Sequence, residues 1–170
     1  MQVQPDVSLA EEDALAHAIA DELIRRSARV AVVETTAGGL ISARLLSVPG
    51  ASAWFDRGLV AYSRGAKEQA GTNIDVLREH GAVSSPAVES MANGLRELAG
   101  VEFTVAESGI AGPQGSRRSP KPVGAVSIAV ATPSGTVARD LELPGSRVQV
   151  MQQIAQAALE LLLEQLKASQ

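Results

Sequence analysis

Apolar positions along this chain alternate between a spacing of three to four residues and short unbroken runs, and the alternation divides it into helices and strands. From Leu9 to Ser27, Leu15, Ile19, Leu23 and Ile24 fall at helical spacing, with Ser8 as a candidate N-cap and Glu11 completing a capping box. Arg29–Glu34 is a short β-branched run that predicts a buried strand. It stops at the polar and glycine turn Thr35-Thr36-Ala37-Gly38-Gly39, after which Leu40–Leu46 returns to helical spacing. Val48–Ser52 reads as a turn and Arg57–Tyr62 as a second strand. Helices are predicted over Arg64–Ala70 and Ile74–His80, with Gly81 as a C-cap. Ser84-Ser85-Pro86 opens another helix, with Val88, Met91, Leu95 and Leu98 along one face and an end near Gly100. Glu102–Ser108 predicts a third strand, closed by the glycine-rich turn Gly109–Pro113, and the polar stretch Gln114–Pro122 reads as a mobile loop. Val123–Ala131 and Thr136–Leu143 predict a hairpin through Pro133-Ser134-Gly135. Ser146–Leu166 closes the chain as an amphipathic helix with Val150, Ile154, Ala158, Leu161 and Leu162 inward.

Strands interleaved with helices in this order predict an α/β fold: a three-layer α/β/α sandwich around a mostly parallel mixed sheet of about five strands, one pair of them an antiparallel hairpin. A chain of 170 residues fits one such domain, large enough to bury roughly two thirds of its unfolded surface. Residues 9–170 are expected to form it, with 1–8 as a flexible N-terminus. No internal repeat or low-complexity segment interrupts the pattern.

Composition removes several chemistries. The chain has no cysteine, which excludes disulfides, thiolate metal ligands and a thiol nucleophile, so a nucleophile has to be oxygen or lysine. Its two histidines, His17 and His80, are too few for a histidine metal site, and no metal or cofactor is expected. A net charge of −4 with interspersed signs offers no basic footprint for nucleic acid and no polybasic membrane patch, while leaving a small anionic ligand open. Without a leader-like start or an apolar run near the ~20 residues of a membrane span, the sequence reads as cytoplasmic.

In an open α/β sheet, ligands bind beyond the carboxyl ends of the strands, where glycine admits backbone N–H groups and a helix N-terminus favours negative charge. Thr35–Gly39 and Ser108–Gly112 are two such turns. Either can equally be a plain helix cap. Tyr62 and Lys67 sit at the end of the second strand and in the helix after it, so both can face the same edge. Lys67 is either a solvated surface lysine or, if desolvation lowers its proton affinity, a base. Arg147, after Gly145-Ser146, is either an exposed first-turn residue or a bidentate clamp for phosphate or carboxylate. Arg117, Arg118 and Lys121 read as a solvated loop or a cationic lid.

Taken together, ETTAGG (34–39), SAWFDRGLVAYSRGAK (52–67), HGAVS (80–84), SGIAGP (108–113), KPVG (121–124) and Gly145-Ser146-Arg147 resemble the C-terminal domain of the CinA competence- and damage-inducible proteins. The likeness runs in order from about Leu15 to Leu163. The stand-alone nicotinamide-nucleotide amidohydrolases belong to that family. The resemblance implies metal-free deamidation of nicotinamide mononucleotide to nicotinate mononucleotide and ammonia, by a serine nucleophile that a lysine activates. On this chain the serine that opens the family's SCTGG motif falls on Thr35, the tyrosine on Tyr62 and the lysine on Lys67. The hydroxyl before GIAGP falls on Ser108 and the arginine of Gly-Asp-Arg on Arg147. Thr36, Gly38, Gly39 and Gly109 complete the implied substrate-binding set, with glycine-flanked N–H groups holding the oxyanion.

Here Ser-Cys-Thr-Gly-Gly has become Thr-Thr-Ala-Gly-Gly, which exchanges the nucleophile and removes the third hydroxyl at Ala37. Threonine keeps a hydroxyl, but its methyl stiffens χ1 and crowds the attacking oxygen. Thr36 could attack only from a re-aimed turn. Two functional expectations follow: an amidohydrolase with Thr35 attacking and Lys67 as base, or a catalytically silent relative acting as a nucleotide-binding or competence- and damage-related interaction module. A phosphosugar or nucleotide pocket outside the family's chemistry is a third. The family also implies homo-oligomers, and its longer members carry an additional N-terminal domain for which nothing before Leu9 here provides, so the domain is expected to stand alone.

Overall fold

The computed structural model describes residues 13–113 and 119–168. Ser8, Leu9, Glu11, Arg117 and Arg118 lie outside the described residues, as does the proposed flexible N-terminus. Helix α1 (Ala14–Arg26) begins at Asp13, whose Oδ1 accepts the amide of Ala16 at 3.1 Å. The same carboxylate receives the Arg44 guanidinium, with Nε at 2.6 Å from Oδ2, so the cap also ties α1 to α2 (Leu40–Leu46). The remaining elements are β1 (Val30–Glu34), a 3-10 turn (Ala51–Ala53), β2 (Phe55–Val60), α3 (Arg64–Gln69), α4 (Ile74–His80), α5 (Ser85–Ala99), β3 (Phe103–Gly109), β4 (Ala125–Thr132), β5 (Gly135–Glu142) and α6 (Arg147–Ala168).

The strands form one mixed sheet in the order β2-β1-β3-β4-β5. β1 pairs in parallel with both β2 and β3, whereas β4 runs antiparallel to β3 as well as to β5. Antiparallel pairing therefore extends one strand beyond the expected hairpin, because β4 begins at the edge where β3 ends, with Val126 opposite Gly109. β2 starts two residues earlier than its apolar run suggests, at Phe55, which pairs with Val30. Trp54, immediately before it, packs edge-on against Phe55 with ring centroids 6.3 Å apart and is buried.

Strand alternation separates two cores. Val30, Val32, Phe103, Val105, Val126 and Ile128 join α1, α2 and α6 on one face, while Ala31, Val33, Ala106, Ala129 and Ala131 join α5 on the other. Every residue of β1 and β4 is buried, as strands covered on both faces require. The Thr104 hydroxyl fixes α5 to β3 by donating to the carbonyl of Ala92 at 2.7 Å.

Backbone contact sets the position of α3 against α5. A Cβ on Gly94 would lie 1.9 Å from the carbonyl oxygen of Gly71, and one on Gly71 would lie 2.5 Å from that of Gly94. No side chain fits at either position. The main chain after α3 thus lies directly on α5, and that contact anchors the short helix carrying Lys67.

Candidate active site

The site lies where β1, β2 and β3 end. Beyond Glu34 the chain turns through Thr35–Gly39, and positive φ values at Gly38 (66°) and Gly39 (104°) let it reverse directly into α2. Two buried carboxyls hold this turn from beneath. Glu34 Oε2 accepts the amides of Gly39 (2.9 Å) and Ile41 (3.1 Å), and its Oε1 accepts the amide (2.9 Å) and hydroxyl (2.6 Å) of Ser42. Glu107 Oε1, from β3, accepts the amides of Thr35 (2.5 Å) and Ala37 (2.8 Å). Its Oε2 is buried without a hydrogen-bond partner.

This arrangement corrects one expectation. Amides of the turn that the sequence offered to an incoming oxyanion, including that of Gly39, are already bonded to the protein's own carboxyls. The N-terminal anion position of α2 is filled by Glu34. At the second turn, the amide of Gly109 donates to Thr36 Oγ1 at 2.9 Å and is committed as well.

The two adjacent threonines occupy different positions. Thr35 Oγ1 donates to the carbonyl of Glu107 at 3.1 Å and lies 3.3 Å from Thr36 Oγ1. Thr36 Oγ1 donates to the carbonyl of Gly109 at 2.8 Å, bridging the two glycine-rich turns. Both residues are buried, but it is Thr36 that lines the open cleft beside them. That cleft measures about 320 Å3 and is bounded by Thr36, Tyr62, the segment Gly109–Pro113, Ser119 and Arg147.

Lys67 is not a solvated surface residue: only 7% of it is exposed. Its Nζ donates to the carbonyl of Tyr62 at 2.9 Å and makes no hydrogen bond to Thr35. Burial lowers its proton affinity, and the negative charge of Glu107 partly opposes that effect. Glu107 is pushed up to about 7 by burial and by the nearby Glu34 carboxylate, against the pull of the turn amides. Tyr62 is 67% exposed at the cleft's rim. Arg147, the first residue of α6, reaches over the cleft and donates from Nη1 to the carbonyl of Gly112. Ser108 is buried on β3, opposite Ser127 of β4.

The structure therefore gathers Thr36, Tyr62, Gly109 and Arg147 around one cleft, with Thr35 and Lys67 buried behind its wall. Glu107 is the residue the sequence reading missed; Glu34 lay within its ETTAGG turn, but the role of its carboxylate was not read. The available signal was a carboxylate ending or interrupting an apolar strand, at a position whose alternation faces the core. Among the described residues, no group of three or more His, Asp or Glu is assembled that could hold a metal ion. No described helix is long and apolar enough to cross a membrane.

Comparison with known proteins identifies the family and the fold. A family model described as the CinA C-terminal domain matches residues 12–166. A CinA-like protein of Anaeromyxobacter dehalogenans is 45% identical over 152 residues, covering 89% of this chain and 37% of that protein. The chain thus spans about a third of the length of the curated relatives it matches. Among solved structures, the competence damage-inducible protein A of Klebsiella pneumoniae is 31% identical with a TM-score of 0.86, covering 92% of this chain and 97% of that one. The competence/damage inducible protein CihA of Agrobacterium tumefaciens is also 31% identical, with a TM-score of 0.84 and coverage of 96% and 98%. By sequence and by fold, this chain belongs to the CinA C-terminal domain family.

Proposed function

We propose that the domain is an amidohydrolase that releases ammonia from the carboxamide of nicotinamide mononucleotide or a close relative. The observation that carries this reading is the burial of Lys67 in α3, the helix that follows β2: a lysine whose proton affinity is lowered by desolvation, beside a hydroxyl-bearing turn and a cleft with an arginine on its wall. Arg147 has N–H groups beyond the one bonded to Gly112, which suit a phosphate in the cleft. Tyr62 at the rim offers a face and a hydroxyl to the base.

In this reading Lys67, as the neutral amine, takes the hydroxyl proton of Thr35 while Thr35 Oγ1 bonds to the carboxamide carbon. Collapse of the tetrahedral intermediate breaks the C–N bond, and the lysine proton leaves with ammonia. Water then adds to the Thr35 ester, its proton passing to Lys67 and from there to Thr35 Oγ1 as the ester C–O bond breaks, and the acid product departs and ionises to the carboxylate. Thr35 first has to turn its hydroxyl away from the Glu107 carbonyl.

Ammonia release by purified protein, with Lys67→Ala as control, tests the reading. Turnover confined to the unaltered protein supports it, and no turnover above the control at high enzyme concentration would sink it.

A specific observation favours a second reading, that of a silent nucleotide-binding member. Both threonine hydroxyls donate to main-chain carbonyls, and Lys67 bonds to Tyr62 instead of Thr35. Calorimetry separates the two, because tight binding of the mononucleotide without turnover is expected only of the silent form. Homo-oligomerisation belongs with either reading and is tested by sedimentation.

A further inference from the structure

The chemistry proposed above gives Glu107 no role, yet this buried residue touches Thr35 through both its side chain and its main chain. Its Oε1 holds the amides of Thr35 and Ala37, and its Oε2 is buried with no partner. The charged groups acting on it are Glu34 from β1 and Lys67 from α3. On α2, Arg44 is committed to Asp13, and on α6, Arg147 is committed to Gly112. β4 places the apolar Ile128 opposite it.

We propose that Glu107 is the positioning residue of this site, its buried carboxyl tying the Thr35 turn to β3 through the amides of Thr35 and Ala37. A carboxylate beside a second carboxylate, with two lone pairs facing no donor, is a poor anion. When Glu107 carries a proton, it still accepts the two amides through Oε1, so the turn stays in place. The ammonium of Lys67 then loses its opposing charge and releases its proton more readily. When Glu107 ionises, the same turn is kept, and its charge offsets part of the desolvation at Lys67, which then gives up its proton less readily. One side chain thus holds the turn's geometry and opposes the desolvation of Lys67.

The catalytic half of this inference rests on Lys67 being the base of the proposed reaction, so the test includes a readout that needs no turnover. In the 170-residue chain with labelled lysine, the side-chain resonance of Lys67 is titrated by NMR in the wild type and in Glu107→Gln, and Lys67→Met supplies its assignment. Glutamine keeps the acceptor oxygen and volume but removes the charge. The Lys67 midpoint is expected to move to lower pH in Glu107→Gln; an unmoved midpoint overturns the charge coupling. The alkaline-rising limb of kcat/KM is expected to shift the same way with KM unchanged. A shifted NMR midpoint with an unshifted limb supports the coupling and counts instead against Lys67 as the base. For the turn, amide exchange at Thr35 and Ala37 is expected to stay within about threefold in Glu107→Gln and to rise by at least ~tenfold in Glu107→Leu. Equal protection in both variants overturns the positioning role. Should Glu107→Leu not fold, a rise of more than ~tenfold in Glu107→Gln is the overturning result.

Discussion

Glu107 grips Thr35 at two points, its carboxyl accepting the Thr35 amide and its carbonyl accepting the Thr35 hydroxyl. A residue held at both ends is well placed but not free to attack. In the proposed amidohydrolase, the balance between order and availability at this position sets the rate, and the first expected outcomes rest on that reading.

Exchanging Thr35 for serine is the most direct. Removing the methyl frees χ1 and lets the hydroxyl leave the Glu107 carbonyl for the cleft at lower cost. Thr35→Ser is expected to raise ammonia release by on the order of 10–100-fold, whereas Thr35→Ala abolishes it. If Thr36→Ala removes turnover while Thr35→Ala leaves it, the nucleophile is the threonine that lines the cleft.

Lys67 provides a trade between stability and chemistry. A buried lysine with lowered proton affinity is folded at neutral pH against its own desolvation. Lys67→Met fills similar volume without the charge. It is expected to raise the urea midpoint at pH 7 while removing ammonia release by at least ~100-fold. A lower midpoint would show that the bond to the Tyr62 carbonyl outweighs the desolvation.

Stability should also fall as pH rises. Glu107 moves from an ordinary 4.5 to about 7 in the folded protein, so between those values the unfolded chain ionises this group and the folded one does not. Its contribution is complete below pH 4.5 and is lost as pH rises through 7. The shift corresponds to a difference of at most about 3 kcal/mol. Urea unfolding at pH 4.5 and pH 8 is expected to show that loss in the wild type, and Glu107→Gln is expected to flatten it.

Gly94→Ala probes the anchor of α3. Its new methyl would fall 1.9 Å from the Gly71 carbonyl, a main-chain group that cannot rotate away. A destabilisation of about 3 kcal/mol or more is expected in chemical denaturation, although alanine ordinarily favours a helix. Gly65→Ala, at a position with nothing within 4 Å, is the control that is expected to cost nothing.

Much of the framework was legible in the pattern of apolar residues. Leu40–Leu46 and Ile74–His80 are helices over the residues their spacing implies, and the hairpin of β4 and β5 follows from Pro133-Ser134-Gly135. Pairing partners were not legible. The antiparallel neighbourhood of β3 and β4 depends on where a connection runs, which local periodicity does not encode. At the site, the residue types around the cleft could be gathered from their spacing and their resemblance to a family. Their hydrogen bonds could not. Whether an amide in a glycine turn is open depends on residues such as Glu107, about seventy positions away in sequence. Whether Lys67 is solvated or desolvated depends likewise on tertiary packing, which its own sequence neighbours do not encode.

The wall of the cleft is drawn from Thr36, Tyr62, the Gly109–Pro113 segment and Arg147, so it joins the first strand to the first residue of the last helix. That helix also supplies Val150, Ile154, Ala158 and Leu162 to the larger core. The helix that places Arg147 on the cleft is thus held by the core it helps to form, so a ligand that filled the cleft would be coupled to the packing of that helix. A bound mononucleotide at a hundred times its dissociation constant should raise global stability by about 2.7 kcal/mol, retarding exchange at core amides as distant as those of α1 as well as those beside the cleft.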